Sequence, residues 1–552
     1  MPKRRRDEHD AGPRSPKRLR QAGPLDMISR LSDELLLRVL SHVPTSTLVL
    51  CQRISHRFCS IAGDSQLWKS AYYNRFVRPR ASRIPGVRGQ NAPPDSLSYS
   101  SRISKWLDDD DLVRRGTQTN WKRQYKLRHN WARGSCVTTE IQVTESPPIP
   151  PLLVRLHGGT VFTIDTGAGL RAWAMKGERK LIASVSLTLD SDSDDNVPTS
   201  LGVDIKTTDG EDSNVVVGFQ NGSFSIFKLQ KSSGAFVHQY THSPSSNGRI
   251  TAVAFAFPYL LTMTEAQLLS LYRFAVTPEI VSEDQLAPPR LLSSLKSHTV
   301  WPPLSLSLRP SQDTIVASIA YAFPTYLSGW SVGVQELRIT TEGDIAESRL
   351  ASAVPQGFQA IPSSSVPPSS SSGLRGSEIN TGGVPTKPTS LSYTHPYLLA
   401  SHPDNTLTLY LVKSTSSRLS ISSGSRLWGH TSSVSGAHVG GRGRAVSVSS
   451  RGDDLRIWEL EGGLSFSSTR KRQTNGEMSV QIRPEQKDDI AGSGLDLVTA
   501  ALGQRSVAPG TASCAMDEMS VSKGWVSFDE ENVVVLQERQ QGSQALVVYD
   551  FT

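Results

Sequence analysis

Residues 31–76 read LSDELLLRVLSHVPTSTLVLCQRISHRFCSIAGDSQLWKSAYYNRF, and this stretch decides how the front of the chain folds. Its apolar side chains recur every three or four residues, which is the spacing of one face of an amphipathic helix. Ser32 can cap the first predicted helix, and Pro44 ends it. The apolar stripe of this helix consists of Leu31, Leu35, Leu36, Val39, Leu40 and Val43.

Two further short helices are predicted behind the first one. One begins near Thr47 and ends at Gly63, and the other is capped by Asp64. Their stripes consist of Leu48, Cys51, Ile54 and Phe58, and of Leu67, Trp68 and Tyr72. Three short helices bury too little surface to be stable alone, so we expect this module to depend on a partner.

The module at 27–76 resembles an F-box. The resemblance rests on the leucine-rich opening helix, on ISHRF at 54–58 and on DSQLWK at 64–69, while Ser32 stands where the family prefers proline. It implies docking onto a Skp-type adaptor and, through that adaptor, onto a cullin. The residues that it assigns to this contact are Leu31, Leu35, Leu36, Val39 and Leu40, supported by Leu50, Ile54 and Phe58. The alternative is that these side chains form only the core of a small helical bundle.

Residues 77–136 are interpreted as a linker with a helical strut. Residues 78–100 are rich in Pro, Ser, Arg and Gly and are predicted to form a loop. Aromatic and basic residues then alternate around Trp121, Tyr125 and Trp131, a mixture that can stack on RNA bases. The stretch resembles the helix that leads into the propeller of other F-box proteins, and the acidic run 108–111 argues against phosphate binding.

The rest of the chain, 137–552, repeats one pattern. A short apolar strand is followed by a polar turn and then by a strand that ends in an aromatic residue. These aromatic residues are Trp173, Phe227, Tyr272, Tyr410, Trp458 and Tyr549. A seventh unit near 314–339 fits the pattern loosely.

This repeat resembles a degenerate WD-repeat β-propeller of about seven blades, with six or eight left open. In its best blade, His430, Ser447 or Ser449, Asp453 or Asp454, and Trp458 match the family's hydrogen-bond set, in which we assign Asp453; Trp173 is the equivalent structural residue of the first unit. Since one blade cannot cover its own faces, the ring must close, and we expect LVVYDF at 546–551 to share a sheet with residues near 137–156. Disordered insertions are predicted near 352–387 and 463–520.

The N-terminal 20 residues hold most of the net positive charge. They carry eight basic and three acidic side chains, which accounts for +5 of the total of +8, so a broad nucleic-acid-binding face is not predicted. The basic side chains form two clusters that resemble a bipartite nuclear import signal, made of Lys3, Arg4, Arg5 and Arg6 and of Lys17, Arg18 and Arg20. This predicts an import receptor as partner and the nucleus as location, with the cytoplasm left open; the alternative for 1–26 is a solvated, disordered tail.

Other classes of function find little support in the sequence. The four cysteines are scattered without a metal-binding spacing, and no stretch has the apolar length of a membrane span, so neither a metal, a cofactor nor a membrane is expected. Asp165-Thr166-Gly167 matches the aspartic protease motif, but that chemistry needs two carboxylates. The nearest echo of the motif has Asn380 in place of the aspartate, so a protease is the remote alternative.

The sequence therefore predicts a multidomain protein, a small all-α F-box followed by an all-β propeller. The predicted function is that of a substrate-recognition subunit of a Skp, cullin and F-box ubiquitin ligase, with no catalytic residues of its own. Its propeller would bind a target protein, phosphorylated or not. A nuclear propeller scaffold that promotes no degradation is the alternative.

Overall fold

The computed structural model describes most of the helical module and most of the repeat region. The described residues are 28, 30–78, 119–187, 197–206, 212–275, 285–297, 301–310, 314–325, 329–342, 344–353, 386–415, 418–440, 443–452, 454–460, 479–484, 525–539 and 542–552. The predicted tail 1–26, all but the first residue of the predicted loop 78–100 and most of the two predicted insertions lie outside these residues.

Four short helices, one more than predicted, form the N-terminal module. They are α1 (Asp33–Leu40), α2 (Thr45–Cys51), α3 (His56–Ala62) and α4 (Ser65–Tyr72), and a π-helical turn over Tyr73–Val77 follows. The second predicted helix is divided into α2 and α3 because Ser55 adopts an extended backbone and its side chain accepts a hydrogen bond from the Phe58 amide. Asp64 caps α4 through the Gln66 amide, whereas Ser32 makes no side-chain cap on α1.

A fifth helix, α5 (Trp121–Arg133), leads to the first strand, β1 (Ser135–Thr144). Backbone contacts divide the described chain into two units. The helical unit contains the residues up to 78 together with 119–125, and the propeller unit contains the described residues from 126 onward. Among the described residues, a helix with the length and apolar character of a membrane span is absent.

Seven sheets make up the propeller unit in the described residues. The first two blades contain β2 (Leu153–His157), β3 (Thr160–Asp165), β4 (Gly169–Ala174) and β5 (Leu181–Val185), then β6 (Pro198–Val203), β7 (Ser213–Phe219), β8 (Phe224–Gln230) and β9 (Ala235–His242). The next two contain β10 (Ile250–Ala256), β11 (Tyr259–Thr264), β12 (Leu268–Arg273) and β13 (Arg290–Lys296), then β14 (Trp301–Pro310), β15 (Thr314–Thr325), β16 (Gly329–Thr340) and β17 (Ile345–Ser352).

The last three blades are built in the same way with small additions. The fifth contains β18 (Ser390–Thr394), β19 (Tyr397–Ser401), β20 (Thr406–Ser414), β21 (Leu419–Ile421) and β22 (Ser425–Trp428), and the sixth contains β23 (Val434–Val439), β24 (Arg444–Ser449), β25 (Leu455–Glu459) and β26 (Ser479–Gln481). The seventh combines β1 with β27 (Arg483–Pro484), β28 (Val526–Phe528), β29 (Asn532–Glu538) and β30 (Gln544–Asp550).

The innermost strands of the seven blades close a ring. Each of β2, β6, β10, β14, β18, β23 and β28 contacts the innermost strand of the next blade, and β28 contacts β2. The last strand, β30, pairs antiparallel with β1, from Val137 opposite Asp550 to Thr144 opposite Gln544. The seventh blade therefore joins the first and last strands of the domain, and the expected closure through 546–551 takes place on β1.

Short strands interrupt the second predicted insertion. β26 pairs with β25 of the sixth blade, and β27 then pairs in parallel with β1 of the seventh. Ile482, between these two strands, is buried in the core that both blades share. The insertion predicted near 463–520 therefore contains two short strands within 479–484, where Ile482 is buried between them.

Candidate functional site

The residues assigned to adaptor binding fall into two groups according to their exposure in the helical unit. Leu36, Leu40 and Phe58 are buried in the core of the unit, where no partner can touch them, and Leu31 is half-buried. The four others have between 50% and 66% of their surface exposed; they are Leu35, Val39, Leu50 and Ile54. The direct contact assigned to Leu36 and Leu40 is therefore not available on this surface.

The exposed apolar residues come in pairs at helical spacing. Leu35 and Val39 lie one turn apart on α1, and Leu50 near the end of α2 is followed four residues later by Ile54. Of the fourteen large apolar side chains that are exposed in the described chain, six lie between residues 28 and 54; the other two are Ile28 and Val49. Such a concentration in so small a unit is typical of a protein-binding surface.

Ile28 and Val49 are the apolar residues of this surface that the sequence reasoning did not assign. Ile28 precedes the first predicted helix, and Val49 falls outside the stripe of α2. The signal that could have found Val49 is that an apolar residue off the buried stripe of an amphipathic helix must face either solvent or a partner.

Polar contacts fix the helices that carry this surface. The Arg57 guanidinium donates hydrogen bonds to the Leu31 carbonyl at 2.5 Å and to the Asp33 carboxylate at 2.6 Å, so α3 holds the start of α1. The Trp68 indole and the Gln52 side-chain amide both donate to the Ala62 carbonyl, at 2.9 Å each. These contacts tie the end of α3 to α2 and α4.

An aromatic cluster around Tyr125 joins α5 to the four shorter helices. Tyr125 packs edge-on against Trp68 and contacts Phe76, with 5.4 Å between ring centroids in both pairs. Its hydroxyl lies 3.1 Å from the Thr45 hydroxyl and accepts a hydrogen bond from Arg75 at 2.6 Å. The first half of α5 thereby completes the helical unit.

In the sixth blade, four side chains form a buried hydrogen-bond set. The Trp458 indole donates to the Ser447 hydroxyl at 2.7 Å, and His430 Nε2 lies 2.5 Å from the same hydroxyl. His430 Nδ1 lies 3.1 Å from Asp454 Oδ2. Asp454 therefore occupies the acidic position that we assigned to Asp453, and Asp453 itself lies outside the described residues.

The environment of Asp454 favours its charged form. Burial alone would raise the pKa of this carboxyl, but hydrogen bonds and charge from His430 and Arg456 outweigh that effect and lower its pKa. The Arg456 guanidinium donates to both Asp454 oxygens at 3.0 Å. The acidic residue is thus held between two basic partners.

The first blade shows what the protease-like motif does in this fold. Asp165 ends β3, is buried, and accepts hydrogen bonds from the Gly167 amide at 2.8 Å and the Ala168 amide at 2.5 Å. Its second carboxylate oxygen lies 2.6 Å from the buried Arg171 guanidinium. Every oxygen of Asp165 is thus engaged in holding the turn between β3 and β4.

Trp173 takes the same place in the first blade as Trp458 in the sixth. Its indole donates a hydrogen bond to the Thr163 hydroxyl at 2.9 Å, so a threonine on β3 stands where Ser447 stands on β24.

The import-signal residues 3–20 lie outside the described residues. Among the described residues, no three His, Cys, Asp or Glu side chains come together in a group that could hold a metal ion.

Comparison with known families gives two matches that together span nearly the whole described chain. A family described as the F-box protein pof12 β-propeller matches residues 136–552, and a family described as F-box-like matches residues 28–74. The chain is similar to F-box protein dre-1 of Caenorhabditis elegans, at 34% identity over 106 residues. It is also similar to F-box protein pof12 of Schizosaccharomyces pombe, at 42% identity over 64 residues.

These alignments are short relative to the relatives themselves. They cover 19% of this chain and 9% of dre-1, and 12% of this chain and 14% of pof12. Among solved structures, the Cps50 (Swd1) β-propeller domain of Myceliophteria thermophila is 11% identical with a TM-score of 0.38, over 75% of this chain and all of that domain.

Proposed function

Because the chain belongs to the F-box protein pof12 β-propeller family and carries an F-box, we propose that it is the target-recognition subunit of a ubiquitin ligase. In this proposal the helical unit binds a Skp-type adaptor and, through it, a cullin. The propeller binds the protein to be modified. The chain itself performs no bond chemistry.

The exposed apolar surface of the helical unit carries the proposal. Half or more of the surface is exposed in four of its residues, Leu35, Val39, Leu50 and Ile54. A partner helix could cover each of them. Removing the exposed part of such a side chain from water contributes about 1 kcal/mol per residue. Together these four side chains would contribute about 4 kcal/mol to the binding of a partner.

The propeller contributes by raising local concentration. A target bound to one unit of a chain that is tethered to the ligase meets the ubiquitin-charged enzyme as an intramolecular neighbour. The effective concentration of its lysines then far exceeds their concentration in solution. No catalytic residue on this chain is needed for that gain.

Co-purification from cells tests the proposal. The double variant Leu35→Asp/Ile54→Asp places two charges on the exposed surface without touching the buried Leu36, and we expect it to recover at least tenfold less adaptor and cullin than the wild type. Ser60→Asp is the control for an added charge, because it places one carboxylate at an exposed position of α3 outside the apolar surface. Equal recovery of adaptor by the double variant and the wild type would contradict the assigned surface.

The same experiment separates a ligase subunit from a scaffold. Adaptor and cullin together with wild-type protein support the ligase subunit, and adaptor that is never accompanied by cullin supports a scaffold.

Nuclear location is proposed on the two basic clusters of residues 3–20. A fluorescent fusion of the full chain, with and without Ala at Lys17, Arg18 and Arg20, tests it, and unchanged nuclear accumulation of the variant would contradict an import signal of two parts.

A further inference from the structure

The inner wall of the propeller carries a guanidinium group with no acidic partner. Arg155 lies in the middle of β2, an innermost strand, and its side chain is exposed to solvent. Its Nε donates a hydrogen bond at 3.0 Å to the carbonyl of Leu201 on β6, the innermost strand of the next blade. The side chain therefore runs along the ring of innermost strands, in the channel that the ring encloses.

The surroundings of Arg155 are enclosed although it touches solvent. Burial lowers the pKa of its guanidinium. A side chain inside a narrow, water-accessible channel is expected to touch water and also to have its pKa shifted by the surrounding protein. In the part of the chain that the structure describes, no carboxylate lies within ion-pair distance of Arg155, and its two terminal nitrogens donate no hydrogen bond.

A histidine of the sixth blade faces the same part of the channel. His438 lies on β23, and its pKa is lowered to about 4, first by burial and second by the positive charge of Arg155. Its ring packs edge-on against Phe528 of β28, with 5.5 Å between centroids. Strands from the first, seventh and sixth blades thus bring a cation, an aromatic ring and a neutral imidazole to one part of the channel wall.

We propose that the propeller channel contains a binding site for an oxyanion, a phosphate or a carboxylate, with Arg155 as its main ligand. A guanidinium matches the two oxygens of such a group with parallel N–H donors, and the terminal nitrogens of Arg155 are available for this geometry. The enclosed setting strengthens the interaction, because less water competes for the charge. His438 can add a hydrogen bond from its neutral ring.

Two sources can deliver this chemistry. One is a free small anion that occupies the channel, and the other is an anionic side chain of a protein segment that reaches into it. In the second case the site is part of target recognition, so only that case rests on the proposed function. Arg155 itself belongs to the propeller unit and does not depend on the adaptor-binding surface.

Isothermal titration of the full-length protein with inorganic phosphate, at constant ionic strength, tests the site. We expect saturable binding that Arg155→Gln weakens at least tenfold, since a hydrogen bond to a charged group is typically worth a factor of this size. Arg155→Lys keeps the charge without the paired donors and should bind with intermediate affinity. Arg249→Gln is the matched control, because Arg249 also lies in the propeller unit, exposed and paired with Glu265 at 3.2 Å.

Peptides identify the source of the anion. Three peptides of one sequence, with serine, phosphoserine or glutamate at the centre, are titrated against the same variants. An Arg155-dependent preference for an anionic peptide over free phosphate assigns the site to target binding, and binding of phosphate alone assigns it to a small anion.

Absence of any Arg155-dependent binding, of phosphate or of peptide, would overturn the proposal. Arg155→Gln should leave adaptor co-purification unchanged, so its outcome is independent of the test of the F-box surface.

Discussion

Trp131 stacks on Phe551 with ring centroids 4.2 Å apart and an angle of 16° between the ring planes. The Trp131 indole also donates a hydrogen bond at 3.0 Å to the Glu530 carbonyl, and the Arg444 guanidinium lies 4.4 Å from the centre of the Trp131 rings. The neighbouring Asn130 donates to the Phe551 carbonyl at 2.8 Å. The second half of α5 is therefore fastened to the seventh blade at the place where the last strand ends.

Replacing Trp131 by Ala should destabilise the propeller. The variant loses a buried aromatic side chain, its stacking partner and the contact that accommodates the buried Arg444, and we expect a loss of about 3–5 kcal/mol in the free energy of unfolding. Denaturant unfolding followed by circular dichroism measures it. The control is Trp428→Ala, because Trp428 is 52% exposed and should cost less than about 1 kcal/mol; equal losses would contradict the anchoring role.

Asp454→Asn should weaken the sixth blade. It removes the negative charge that faces His430 and Arg456 in a buried setting, and we expect a loss of about 1–3 kcal/mol in stability. Thermal unfolding of the variant beside Asp453→Asn measures the difference between the two neighbouring aspartates. If Asp453→Asn were the more destabilising change, the acidic position of the hydrogen-bond set would be at 453.

Asp165→Asn should act on stability. The substitution turns an amide towards the buried Arg171 and leaves that charge without its partner, which costs about 3 kcal/mol in typical buried pairs. The exposed pair Arg249–Glu265 provides the control, since Glu265→Gln should change stability by less than about 1 kcal/mol. Loss of a proteolytic activity in Asp165→Asn, at unchanged stability, would instead support the protease alternative.

Acidification should destabilise the propeller through His438. The folded state holds the pKa of this imidazole at about 4, below its ordinary value of 6.5, so it favours the neutral form. The stabilising contribution is complete above pH 6.5 and is lost as the pH falls towards 4, because the unfolded chain then binds the proton more tightly. Over that interval the loss is at most about 3 kcal/mol.

The histidine contribution can be isolated by substitution. The positive charge of Arg155 acts on His438 and the Phe528 ring packs against it, and neither of these side chains titrates between pH 4 and 6.5. The stability difference between wild type and His438→Gln, measured at pH 7 and pH 4.5, should therefore shift in favour of the variant at the lower pH. A difference that does not depend on pH would contradict the buried, neutral state of His438.

Sequence periodicity predicted the helical unit and the ring of blades, because both depend on patterns that repeat along the chain. It did not distinguish Leu35 from Leu36. These neighbours belong to one apolar stripe, yet one is 55% exposed and the other 1%, since the position of α3 decides which of them is covered. A helical wheel contains no information about that neighbour.

The propeller shows the same limit at two places. The acidic residue of the sixth blade could be Asp453 or Asp454 by spacing, and the register of β24 against β25, with Ser447 opposite Arg456, places Asp454 beside His430. Arg155 carried no motif at all. Its surroundings form only when β2 meets β23 of the sixth blade and β28 of the seventh around one axis. These two strands follow Arg155 by nearly 300 and nearly 400 residues along the chain.

The pairing of β1 with β30 has a consequence for biosynthesis. β1 leaves the ribosome some 400 residues before its partner strand, so the seventh blade cannot form until the propeller sequence is almost fully translated. Contacts so distant in sequence form slowly, and an unpaired strand edge attracts other chains in the meantime. The helical unit has a much shorter wait, because its contacts with α5, such as the one between Thr45 and Tyr125, join residues about 80 positions apart. If the proposed function holds, the adaptor-binding surface would form on the nascent chain well before the target-binding propeller, and we expect the growing propeller to be a client of chaperones.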